Sequence, residues 1–130
     1  MKVEEVVPLL GVADIERSVR FYVEGLGFTM RNRWIDEGKL RWCWLQLDGA
    51  ALMLQEFRGG PESKVGVGVS LNFTCDDALE KYREMKSRGV EAKRPFVGNG
   101  MWVTGTADPD GYQLYFESTT EAPEESVYQE

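Results

Sequence analysis

Hydrophobic positions along the chain alternate at two periods, and the two periods succeed each other in the same order twice. Residues 5–12 (EVVPLLGV) form a short apolar run that reads as a strand, with Pro8 marking an edge or a bulge. Asp14 then opens a segment in which Ile15, Val19, Tyr22 and Leu26 fall at helical spacing. Asp14 is a good N-cap and Gly27 a good stop, so a helix is predicted over 14–26. Strand character returns over 28–35, 40–47 (LRWCWLQL) and 50–56, punctuated by Asp36-Glu37-Gly38 and by the hairpin dipeptide Asp48-Gly49. Residues 58–64 (RGGPESK) are the interior stretch with linker composition.

After it the order repeats. The spacing predicts a strand over 65–74 and a helix from Asp76 or Asp77 to about residue 88, with Leu79, Tyr82 and Met85 on one face. A short strand over 90–94, a loop over 95–100 (PFVGNG) and a hairpin of 101–107 with 112–118 across Asp-Pro-Asp-Gly complete the second half. Asp48-Gly49 aligns with Asp110-Gly111, Leu52 with Leu114 and Met53 with Tyr115, all at an offset of 62, while Asp14 aligns with Asp77 at 63. The chain therefore reads as α+β, two tandem βαβββ modules: 1–57, a linker at 58–64, 65–118, and a solvated, mobile tail over 119–130.

Residues opposite one another in a hairpin point to the same side of the sheet. A two-residue turn at Asp48-Gly49 sets Trp44 across from Met53 and Trp42 across from Gln55. These four share one face; Cys43, Leu45, Leu47, Leu52 and Leu54 take the other, a dry aliphatic surface suited to lie under a helix. A two-residue loop at Pro109-Asp110 or Asp110-Gly111 likewise puts Trp102, Thr104 and Tyr115 on one face and Val103, Leu114 and Phe116 on the other. Tryptophans mixed with a tyrosine, a methionine and a glutamine make the lining of a small-molecule pocket. The side shown by Trp34, near the end of its strand, stays open.

Composition narrows the chemistry. The chain has no histidine, which removes Ser-His and Cys-His nucleophile activation, imidazole acid–base catalysis and the commonest metal ligand. Carboxylate-only sites for magnesium or calcium stay open. Net charge is −7, of which residues 1–118 carry −3 and the four glutamates of the tail the rest; an acidic body argues against nucleic acid as a partner. No apolar run has the length of a membrane helix and the N-terminus lacks a signal-peptide pattern. Cys43 and Cys75 are no disulfide framework, which fits a reducing cytoplasm.

Three stretches, 7–28 (VPLLGVADIERSVRFYVEGLGF), the Asp48-Gly49 hairpin and 108–117 (DPDGYQLYFE), together make the chain resemble the vicinal-oxygen-chelate superfamily. That superfamily includes glyoxalase I, extradiol dioxygenases, fosfomycin-resistance enzymes and bleomycin-resistance proteins. The resemblance covers nearly all of 5–118 and implies that each module curls into a half-open mixed sheet with its helix on the convex side. It also implies that the four metal-ligand positions of the metal enzymes fall on Val7, Met53, Ser70 and Tyr115, which make no plausible divalent-metal site. What remains resembles the bleomycin-resistance branch: no metal or other cofactor, a homodimer, and a cationic aromatic drug held by stacking and charge. On that resemblance Ser70, Asn72 and Glu117 join Trp42, Trp44, Met53, Gln55, Trp102, Thr104 and Tyr115 as candidate ligand-binding residues, with Glu117 as carboxylate for a cationic group. The leading expectation is a metal-free binding protein that sequesters an aromatic or cationic small molecule, an antibiotic-resistance function, rather than an enzyme. The alternatives are a lyase or dioxygenase-type enzyme with a non-standard metal site using Glu56 or Glu117, metal-free acid–base catalysis through Tyr115 and a carboxylate, and a non-catalytic interaction module.

Overall fold

The computed structural model describes residues 1–57 and 65–130, so the expected linker at 58–64 lies outside the described residues. The chain divides into two units, Met1–Val65 and Gly66–Glu130. The first holds β1 (Leu9–Val12), helix α1 (Ile15–Val19) running on into a π-helical segment (Arg20–Gly25), β2 (Thr29–Asp36), β3 (Lys39–Leu47) and β4 (Ala50–Glu56). The second holds β5 (Ser70–Thr74), α2 (Ala78–Ser87), β6 (Phe96–Gly98), β7 (Met101–Ala107) and β8 (Gln113–Thr119). Each unit has one four-stranded mixed sheet, in the order β1-β4-β3-β2 and β5-β8-β7-β6. The first strand of each unit runs parallel to the last, and the remaining pairs are antiparallel. The α+β fold of duplicated βαβββ units is thus observed.

The sequence explains why each helix starts where it does. Asp14 accepts from the backbone N–H of Arg17 and Asp77 from those of Leu79 and Glu80, so both helices carry the expected aspartate cap. A second cap arrives from the end of the last strand in each unit. Glu56 Oε1 accepts from the N–H of Ile15, and Ser118 Oγ from the N–H of Ala78. Glu56 and Ser118 are separated by the repeat offset, so the duplication extends to how each helix is fastened to its sheet. The first helix is not α-helical throughout: in its second half the bonds lengthen to i→i+5, as from Leu26 N–H to the Phe21 carbonyl.

Under the helices lie two aliphatic and aromatic cores. In the first unit Leu10, Val12, Ile15, Tyr22, Leu26, Phe28, Cys43, Leu45, Leu52 and Leu54 are buried, and in the second Ala78, Tyr82, Met85, Val97, Tyr112, Leu114 and Phe116. Phe73 stacks on Phe116 with centroids 4.8 Å apart. The face expected to be dry in the first hairpin is the core face, since Trp44 pairs with Met53 and Trp42 with Gln55, as the two-residue turn requires.

The second hairpin differs. Ala107 pairs with Gln113, and the Asp108 N–H donates to the Tyr112 carbonyl, which leaves Pro109, Asp110 and Gly111 as a three-residue turn. Gly111 takes φ 91°, the left-handed conformation that closes such turns. Asp108 organises it: its Oδ1 accepts from the backbone N–H of Asp110 (2.8 Å) and of Tyr112 (2.9 Å). An odd turn reverses the parity expected from an even one. Trp102 now lies across from Ser118 and Thr104 across from Phe116, on the helix side, while Tyr115 faces the other way opposite Gly105.

Two further expectations are corrected. Residues 90–94 form no strand; β6 lies at Phe96–Gly98, within the stretch expected as a loop, and turns through Asn99-Gly100 (φ 54° and 75°) into β7. Asn-Gly is a strong hairpin signal, and here it outweighs Pro95. Both leading strands begin later than expected, at Leu9 and Ser70. The tail over 119–130 makes specific contacts with the second unit. It hydrogen bonds to β6 through Val97 and to the Pro95 carbonyl, and Glu124 accepts from the N–H groups of Asn99 (2.7 Å) and Gly100 (2.9 Å). Tyr82 donates to the Glu130 carboxylate, and Lys86 pairs with it at 3.3 Å. Together these hold the Glu130 carboxyl below the usual carboxylate range, with the Tyr82 hydrogen bond the leading cause.

Replacing Asp108 with alanine removes the acceptor that holds the three-residue turn and strands buried N–H groups. The expected outcome is a loss of about 1–3 kcal/mol of unfolding free energy in urea titrations; an unchanged midpoint would show that the turn holds without its aspartate.

Candidate functional site

On the side of the first sheet away from the helix, the register lays side chains in two cross-strand rows. One runs Gly11, Gln55, Trp42, Trp34 and the other Leu9, Met53, Trp44, Asn32, across β1, β4, β3 and β2. Trp34, whose side the sequence leaves open, therefore joins this face and is 57% exposed. The Trp44 indole N–H donates to Gln46 Oε1 at 2.9 Å, and Gln46 Nε2 in turn donates to the Asp48 carbonyl. That chain satisfies the indole's one donor inside the sheet and fixes the ring along its strand. At the far end of β2, β3 and β4 lies a cleft of about 410 Å³ lined by Trp34, Asp36, Arg41, Gln55, Glu56 and Phe57. Of the candidate ligand-binding residues named from sequence Gln55 alone lines it directly, with Trp34, whose side was open, and Glu56 from the alternative enzyme reading; the Glu56 carboxylate is engaged with the first turn of α1.

The corresponding face of the second sheet carries Ser70 and Asn72 from β5 and Tyr115 and Glu117 from β8. Asn72 lies across from Tyr115. The Tyr115 ring lies over Gly105, where a Cβ would come within 3.1 Å of two ring carbons, so the absence of a side chain there makes room for the ring. Two expected members of this face are absent from it. Thr104 is fully buried and donates to the Ala78 carbonyl at 2.7 Å, tying β7 to the start of α2. Trp102 sits edge-on to Tyr128 of the tail, with centroids 6.3 Å apart. Glu117 faces Val103 across the hairpin, not Trp102. The cause is the odd turn, which moves Trp102 and Thr104 to the helix side. The three tryptophans of the open faces thus all lie in the first unit.

The sequence profile of the glyoxalase/bleomycin resistance protein/dioxygenase superfamily matches residues 4–116. The chain belongs to that superfamily. Solved structures of this type have the same fold. The bleomycin-binding protein complexed with bleomycin superposes with a TM-score of 0.71 at 24% identity, covering 91% of this chain and 100% of that one. TnmS3, an antibiotic binding protein from Streptomyces sp. CB03234, gives 0.73 at 23% identity, covering 92% and 99%. A glyoxylase/bleomycin resistance protein/dioxygenase domain from Frankia sp. EAN1pec gives 0.75 at 20% identity, covering 94% and 96%. No match is found among curated proteins.

The superfamily's metal-ligand positions, mapped by resemblance to Val7, Met53, Ser70 and Tyr115, offer an alkyl group, a thioether, a hydroxyl and a phenol. This donor set does not fit a divalent cation. Among the described residues no group of three or more His, Cys, Asp or Glu side chains is placed to hold a metal ion. The two thiols are poor nucleophiles. Burial pushes Cys43 up to about 11 and raises Cys75 as well. In native protein at pH 8 both cysteines should therefore alkylate slowly with iodoacetamide, Cys43 only on unfolding; rapid native labelling of Cys43, read by peptide mass spectrometry, would contradict its place in the core.

Proposed function

We propose that this protein sequesters an aromatic or cationic small molecule against the open face of its first sheet, without a metal ion. The observation that carries the reading is the pair of cross-strand rows that bring Trp34, Trp42, Trp44, Met53 and Gln55 to one side of β2, β3 and β4. Indole faces stack on planar rings and attract cations, each contact adding roughly 0.5–2 kcal/mol. Met53 adapts to irregular apolar shapes, and Gln55 supplies both a donor and an acceptor. The open face of the second sheet, taken by itself, carries Asn72, Tyr115 and Glu117, two hydrogen-bonding side chains and one carboxylate. The superfamily's relatives include a bleomycin-binding protein and an antibiotic-binding protein, which supports a binding role, extended here to a homodimer in the cytoplasm that confers resistance by sequestration. Binding rather than turnover is part of the proposal: the chain has no imidazole, and the superfamily's metal positions carry no suitable donors.

The test is tryptophan fluorescence of chelator-treated protein titrated with bleomycin and a panel of cationic aromatic compounds. Saturable quenching, unchanged by chelator and weakened roughly 2- to 30-fold by W42F or W44F, is expected. A response that appears only when magnesium, manganese or zinc is added would overturn the metal-free reading.

A further inference from the structure

The cleft at the end of the first sheet contains a guanidinium that the fold leaves unsatisfied. Between β2 and β3, Trp34 pairs with Trp42 but the next residue, Ile35, pairs with Leu40, so Arg41 is the extra residue of a β-bulge. Bulges re-aim side chains, and Arg41 lines the cleft. Its side chain is only 18% exposed. Its Nε is wholly buried and has no hydrogen-bond partner among the described residues. The carboxylates beside it stand too far off to serve: Asp36 at 3.9 Å from Nε and Glu37 at 3.8 Å from Nη2. Nε itself is sealed from an entering molecule, so an acceptor in the cleft would be met by the Nη end of the guanidinium, where Glu37 stands beyond hydrogen-bond distance.

Charge decides which acceptor. Asp36 and Glu37 already outweigh the guanidinium, and Glu56 adds a third carboxylate to the surroundings. An entering anion would meet a local excess of negative charge, whereas a neutral carbonyl oxygen would not. The walls are aromatic: Trp34 and Phe57 are 57% and 51% exposed. The volume, about 410 Å³, lies within the usual range for small-molecule sites. We infer that this cleft is a subsite for a planar aromatic group bearing a neutral carbonyl-type acceptor, an amide, lactam or ketone, with the rings of Trp34 and Phe57 against the aromatic plane and Arg41 donating to the oxygen. Gln55 complements the same group through its amide. This rests on the reading that the first sheet is the ligand-binding one, and adds the part of the ligand that Arg41 recognises.

Three probes sharing one ring separate the chemistries: naphthalene-2-carboxamide, naphthalene-2-carboxylate and naphthalen-2-ylmethylammonium, titrated into the full chain by fluorescence and calorimetry. The carboxamide should bind roughly 10-fold more tightly than either charged probe, and R41M should erase that preference while retaining the residual binding of the ring. R41K, which keeps a charged donor and the apolar stem, should recover part of the preference and so separates a lost hydrogen bond from a lost fold. A tightest carboxylate, a tightest ammonium, or a carboxamide preference intact in R41M would overturn the inference. Equal binding of all three would overturn it while leaving the aromatic face as a binding surface. Binding of none would also overturn it, and the bleomycin titration of W42F and W44F, which does not involve Arg41, then judges the broader reading by itself.

Discussion

The length of a hairpin turn decides the direction of every side chain in the two strands it joins. Because successive residues of a strand alternate between faces, one residue added to or removed from the turn exchanges the buried set for the exposed set. In this protein the two hairpins at the heart of the two units use turns of different parity. Asp48-Gly49 is a two-residue connection; Pro109-Asp110-Gly111 is a three-residue one, closed by the Asp108 side chain and by a left-handed glycine. The difference sends Trp42 and Trp44 of the first unit to the open face and the lone tryptophan of the second unit to the helix side.

That asymmetry is overlaid on a duplicated framework. Both units fasten the first turn of the helix to the last strand, through Glu56 in one and Ser118 in the other, and both bury an aliphatic layer beneath the helix. The open faces are then free to diverge. The first is aromatic and carries, at its end, a bulge that delivers Arg41 to a cleft. The second is polar, with a tyrosine lying over a glycine and a carboxylate two residues on. The shared framework and the superfamily match explain the fold; the aromatic side chains of one sheet carry the proposed function.

Much of this was legible in the chain itself. Period-two and helical spacing, aspartate caps and the Asp-Gly turn signals suffice to read the duplicated βαβββ order and the register of the first hairpin. The second hairpin is not legible in the same way, because Asp-Pro-Asp-Gly is compatible with turns of either parity and the deciding contacts are hydrogen bonds from backbone N–H groups to Asp108. β6 was hidden behind Pro95 and Gly98, although Asn99-Gly100 was the available signal. The tail's acidic composition suggested solvation, yet its glutamates meet specific partners: two turn amides for Glu124, and a phenol and an ammonium for Glu130. Such partners lie 24 or more residues away in sequence, beyond the reach of local pattern. The Arg41 bulge was likewise invisible, since it arises from the pairing of β2 with β3 and leaves no mark on the composition of either strand.

The proposed function stands or falls on whether a ligand occupies the tryptophan face of the first sheet. The most direct measurement follows the four indole N–H signals by NMR, in protein isotope-labelled at tryptophan, during titration with whichever compound of the bleomycin panel quenches fluorescence most. Saturable shifts at Trp34, Trp42 and Trp44 with a stationary Trp102 are expected. A shift confined to Trp102, with the three signals of the first sheet unmoved, would contradict the proposal.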